Sequence, residues 1–143
     1  MKLTLLKPIF LLFILTFMSC KNEIKVYKIT GSPNYENSKL SLSEPSKTNN
    51  GYSFSFEVND YELGLQTIKE FDYELANSNK GQHIHFIVNN GPYSAHYSDN
   101  FEKDIENGSV ILAFLSRSYH ESVKNKEAYV LTQIGENQDL DLS

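Results

Sequence analysis

The chain has 143 residues, with 13 basic against 18 acidic side chains and a formal net charge of −5. Such a balance repels polyphosphate backbones and offers no polybasic patch to anionic lipid, so nucleic acid is excluded as a partner. Its single cysteine, Cys20, rules out an intrachain disulfide, and the stability of one modest domain must come from packing.

The first element in chain order is a leader. Lys2 and Lys7 form a basic start, residues 9–18 an apolar core, and Phe17-Met18-Ser19-Cys20 an ending with a small residue before cysteine. Lys7-Pro8 interrupts the apolar run, which is shorter than the roughly 20 residues a bilayer span needs. This segment resembles a lipoprotein signal peptide, with Phe17 where leucine is usual in the lipobox. The resemblance implies cleavage before Cys20, acylation of that cysteine, and retention by its acyl chains in the cell envelope, at the outer membrane, facing either the periplasm or the outside. The expected organisation is a leader over 1–19, a lipidated tether over 20–37, a folded domain over 38–135 and an acidic tail over 136–143, frayed at its end.

The folded part reads as β-structure. Residues 24–29 and 39–43 are short strand candidates, the second ended by Glu44-Pro45. Tyr52-Ser53-Phe54-Ser55-Phe56-Glu57-Val58 alternates apolar and polar without a fault, the pattern of a strand with one buried face. Residues 61–80 hold Leu63, Leu65, Ile68, Phe71 and Leu75 at spacings that suit a short helix or a packed loop, and we expect an irregular insertion there. Residues 82–89, 92–97, 110–115 and 128–134 are further strands. Phe101 and Ile105, four apart, suggest one helical turn within residues 98–107. Six or seven strands without βαβ alternation predict an all-β, antiparallel immunoglobulin-like β-sandwich.

The chemistry concentrates in the histidines. Asn90-Gly91 suits a two-residue type I′ turn between the strands at 82–89 and 92–97, because both central residues need positive φ. With Asn89 opposite Pro92, His85 faces His96, and His83 shares their side of the sheet by the two-residue period. Directly opposed residues have Cβ atoms about 4.5–5.5 Å apart, so three imidazoles would converge as in a metal site. A three-residue loop with a bulge would instead shift the register by one and send His96 to the other face. His120, after the strand at 110–115, is the candidate fourth ligand.

Met1 and Met18 lie in the leader and Cys20 is the lipidation site, so the mature domain has no sulfur ligand. That disfavours copper(I) and suits zinc(II), copper(II) or nickel(II), with zinc or copper(II) the expected ion. If His120 ligates, a four-histidine site is closed and structural or captures metal; if it stands off, it is placed to act on bound water. Glu121, Asp99, Tyr97 and Tyr119 name no reaction, and without a nucleophile motif, phosphate loop or paired carboxylates no catalytic residue is assigned.

The stretches Gly81-Gln82-His83-Ile84-His85-Phe86-Ile87-Val88-Asn89-Asn90-Gly91-Pro92-Tyr93 and Leu115-Ser116-Arg117-Ser118-Tyr119-His120-Glu121-Ser122 resemble a group of small exported lipoproteins of Gram-negative bacteria, over about residues 40–134. The resemblance implies a lipidated β-sandwich and places all four histidines in or near its distinctive segments. Some members are labelled phosphopeptide-binding, but phosphate recognition uses clustered arginine and this chain has only Arg117. The alternative to metal binding is a non-catalytic module for a peptide, a sugar or a protein partner, using Arg117 for an anionic group and Tyr93, Tyr97 and Tyr119 for aromatic contact.

Overall fold

A computed structural model describes residues 31–71 and 74–135. The leader, Cys20, the strand expected at 24–29 and the tail from 136 lie outside them. The described residues form eight strands and no helix: β1 Lys39–Leu42, β2 Ser46–Thr48, β3 Gly51–Asn59, β4 His83–Val88, β5 Ser94–His96, β6 Asn100–Lys103, β7 Val110–Ser116 and β8 Tyr129–Gln133. No helix among them is long and apolar enough to cross a membrane.

Two antiparallel sheets make a sandwich. In the first, β3 is the hub, pairing with β1 through its C-terminal half and with β2 and β6 through its N-terminal half. The second has the order β5-β4-β7-β8. Alternation explains how they meet. Tyr52, Phe54 and Phe56 of β3 point inward against Ile84 and Phe86 of β4 and Ile111, Ala113 and Leu115 of β7. Phe54 lies edge-on to Phe86 with centroids 4.9 Å apart, and each fully buried ring of this kind contributes about 2–3 kcal/mol by area. Leu40 N–H donates to Glu127 O, tying β1 to the loop before β8.

Two local expectations change, and one strand was not expected at all. The helical turn suggested within 98–107 is strand β6, and Phe101 stacks on Phe54 and Phe56 at 5.6 and 5.8 Å. The four-residue spacing from Phe101 to Ile105 arises because both pack on the core, one from the strand and one from the loop after it. Strand β2, three polar residues long, has no apolar signature to announce it.

The hairpin between β4 and β5 turns one residue earlier than expected. Asn89 and Asn90 take φ of 49° and 56°, and Gly91 N–H donates to Val88 O at 2.8 Å, a type I′ pattern centred on the two asparagines. Centring on Asn90-Gly91 would have asked Pro92 for an N–H that proline lacks. The Asn89 side chain is further engaged, its Oδ1 accepting from Val110 N–H at 2.8 Å. Regular pairing resumes at Phe86 with Ser94, so one extra residue enters on the β5 side and Ile84, not His85, faces His96.

Candidate metal centre

That one-residue shift redistributes the histidines. His96 shares the inward face with Ile84 and stacks on Phe101 at 3.5 Å, while His83 and His85 point from the opposite face of β4. The expected convergence of His96 with His83 and His85 is therefore corrected: it lies across the sheet from them and takes no part in their cluster. Its Nε2 is 2.9 Å from Ser94 Oγ. Burial, helped by the nearby Lys103, pushes its pKa down to about 4, so it is neutral at physiological pH.

The outer face of an antiparallel sheet is ordinarily wet, yet His83 is fully buried and His85 nearly so. The cover comes from the irregular insertion and the loop after β7. Gln82, just before β4, gathers the insertion: its N–H donates to Leu65 O, its side-chain amide donates to Glu62 O, and its Oε1 accepts from Thr67 and, in a very short bond, from Tyr35. Thr67 and Ser118 bond reciprocally, each backbone N–H to the other's hydroxyl, at 3.2 and 2.9 Å. This clamps the insertion to residues 117–122 and lays that loop over β4.

His120 arrives with the loop. It has φ of 66°, and its N–H donates to Arg117 O at 2.9 Å, closing the tight turn that swings the imidazole over β4. Its ring centroid is 5.1 Å from that of His83 and 5.8 Å from that of His85. Candidate ligand atoms of His83, His85 and His120 all lie within 4.8 Å of one another, the geometry of a three-histidine group able to hold a metal ion.

Hydrogen bonds define the donor atoms. His83 Nδ1 is 2.8 Å from Gly81 O, and since a carbonyl only accepts, the proton is on Nδ1 and the Nε2 lone pair is free. His85 Nε2 lies 2.9 Å from His83 Nε2 and donates to it. His120 Nδ1 is buried without a hydrogen-bond partner. Burial lowers the pKa of His83 and drives that of His85 down to about 4, the neighbouring histidines adding to the shift, so both rings are neutral as metal ligation requires. Zinc–nitrogen bonds of about 2.0–2.1 Å at tetrahedral angles put ligand nitrogens about 3.3 Å apart. An ion held between them would need the His83 and His85 rings, 2.9 Å apart at Nε2, to part slightly and His85 to carry its proton on Nδ1 instead. The Gly81 carbonyl fixes the His83 ring and would be its outer partner if an ion were bound.

No sequence pattern marks Gly81, yet its carbonyl holds the His83 ring. At φ of 88° it passes so close to the backbone of Gly64 and Leu65 that a Cβ would collide with both. The aromatic candidates divide. Tyr93, half exposed, stacks flat on His85 at 4.0 Å. Tyr97 packs 5.1 Å from the His83 ring with its hydroxyl 2.7 Å from Ser78 Oγ. Tyr119 is buried and donates to Glu121. Arg117, expected to meet an anionic ligand, is turned inward: it donates to Ser32 Oγ, Ser122 O and Pro33 O, lies 3.8 Å from Glu121 and covers the Tyr35 ring. It pins the N-terminal segment to the His120 loop and leaves no phosphate-binding fork.

No family model matches the chain, and no curated protein or solved structure is significantly similar to it.

Proposed function

We propose that this is a lipid-anchored cell-envelope protein that binds zinc(II) or copper(II) through His83 Nε2, His85 Nε2 and His120 Nδ1. The observation that carries the reading is the buried, unpartnered Nδ1 of His120 beside two buried neutral imidazoles that have only each other at Nε2. An orphaned buried acceptor is costly, about 1–3 kcal/mol, and an ion satisfies all three nitrogens at once. Three neutral ligands with a fourth position left over suit zinc(II) or copper(II) and give sulfur-seeking copper(I) nothing to hold.

The anchor is proposed from the leader and from Cys20, and the resemblance to exported lipoproteins supports it. Strand pairing supports an immunoglobulin-like reading of the sandwich: β3 pairs with β1 and β6 as strand B pairs with A and E, and β4-β7-β8 follow as C-F-G. A second reading, a module for a sugar or another polar ligand, is favoured by one feature alone. A polar groove of about 920 Å³, lined in part by Asn34, Asp60, Tyr119, Lys124 and Asn125, opens beside the pinned N-terminal segment.

The experiment is metal analysis and zinc(II)/copper(II) titration of the purified protein beside His85→Ala, His120→Ala and His96→Ala. One equivalent bound by wild type and by the His96 variant, and lost in the other two, is expected. Absence of binding near neutral pH, or loss in the His96 variant alone, refutes the site.

A further inference from the structure

The outward face of the β5-β4-β7-β8 sheet is apolar beyond the loop that covers His83. Two cross-strand rows run over it, Ile87–Leu112–Leu131 and His85–Phe114–Tyr129. Leu131 is 40% exposed and Tyr129 51%, while Ile87, Leu112 and Phe114 are partly exposed. The second row begins on a histidine of the metal cluster, whose ring lies 5.0 Å from that of Phe114. The apolar strip and the histidine cluster therefore share an edge.

Charge says what belongs there. Three neutral imidazoles leave the whole charge of a divalent ion in place, and among the described residues no carboxylate joins the three-histidine group. Glu121, adjacent in sequence to His120, is taken up by the Tyr119 hydroxyl and Arg117. The fourth ligand comes from solution, and an anion is favoured beside an uncompensated dication. The strip requires an apolar body behind it. Two strand spacings separate β4 from β8, so the row is about 10 Å long, the size of a phenyl ring on a short alkyl chain.

We propose that the site binds a small organic carboxylate with an aromatic or alkyl body, its head on the ion and its body over the accessible part of that row, Phe114 and Tyr129, beyond the buried His85 and the Tyr93 ring stacked on it. This rests on the metal reading above. Edge-to-face contact with Phe114 and Tyr129 favours an aromatic body over a bare acid.

The test uses the full chain in dodecyl maltoside, loaded with cobalt(II), whose visible spectrum reports its coordination. Acetate and 4-phenylbutyrate are titrated into wild type and into a Leu131→Ser, Tyr129→Ser double variant, whose two sites are exposed enough to spare the core. Phenylbutyrate is expected to bind at least tenfold more tightly than acetate, about 1.4 kcal/mol. The double variant should lose most of that advantage and keep its acetate affinity. Equal affinities in wild type, or an advantage that survives the double substitution, overturn the proposal while leaving the metal site standing. A metal-loaded dimer that the double variant dissociates overturns it in favour of a second copy on this face. Failure to take up cobalt(II) at all overturns both readings together.

Discussion

Replacing His120 with glycine separates the metal from the fold. His120 holds φ of 66°, a left-handed conformation that costs a non-glycine residue about 1–2 kcal/mol, and its buried Nδ1 has no partner, a further penalty of about 1 kcal/mol or more. Glycine removes both. Against this stand about 1 kcal/mol of extra backbone entropy in the unfolded chain and about 0.5–1 kcal/mol of lost ring contact with His83 and His85. The metal-free variant should therefore match wild type or exceed it by about 1 kcal/mol in a urea titration with chelator present. Its zinc affinity should fall by more than about 100-fold, because removing a mere outer-sphere partner already costs 10–100-fold. Calorimetric titration gives the second quantity. A metal-free variant destabilised by more than about 1 kcal/mol, or a zinc affinity within tenfold of wild type, would refute the account of His120 as a strained residue held in place for ligation.

Three further predictions test the surrounding structure. His96→Phe should leave zinc affinity within about threefold, since the ring sits on the other side of the sheet, and should flatten the acid dependence of the metal-free protein. His96 has a pKa depressed to about 4 in the fold, against about 6.5 unfolded. Its stabilising effect is thus complete above about pH 6.5 and is lost as pH falls toward 4; after discounting for water at the half-buried edge it amounts to about 1–2 kcal/mol, and an unchanged slope in chelator-treated urea melts would contradict the assignment. Gly81→Ala should destabilise by about 2 kcal/mol or more and weaken metal binding with it, because the collision with Gly64 and Leu65 moves the carbonyl that holds His83; wild-type melting and affinity would count against this. Cys20→Ser should release the protein from the membrane fraction while the domain keeps its metal stoichiometry, and a variant that still sediments with membranes would argue against lipidation at that residue.

Sequence and structure part company at identifiable residues. The alternation of residues 52–58 announced β3 because a half-buried strand writes its faces into period two, and His83 and His85 were placed together on the same ground. The partner was harder. Two turn centres compete at Asn89-Asn90-Gly91, and the choice falls to Pro92, whose missing N–H is a weaker cue than the familiar Asn-Gly pair. A slip of one residue exchanges the faces, so a small misreading of the turn moved His96 from ligand to core. His120 was within view as a fourth candidate, but its promotion depends on the clamp between Thr67 and Ser118, two side chains 51 residues apart that no local pattern links. The inward turn of Arg117 is equally non-local, since its partners Ser32 and Pro33 lie 85 and 84 residues earlier in the chain.

The clasp of Arg117 on Ser32 and Pro33 also sets an order of events. Ser32 and Pro33 lack their Arg117 partner until the loop at 117–122 exists, and that same loop carries His120 to the other two histidines. On the proposed reading, a chain still being made would carry two of the three ligands without the means to hold an ion tightly. Any metal bound by the finished protein would then be drawn from the compartment where that loop closes.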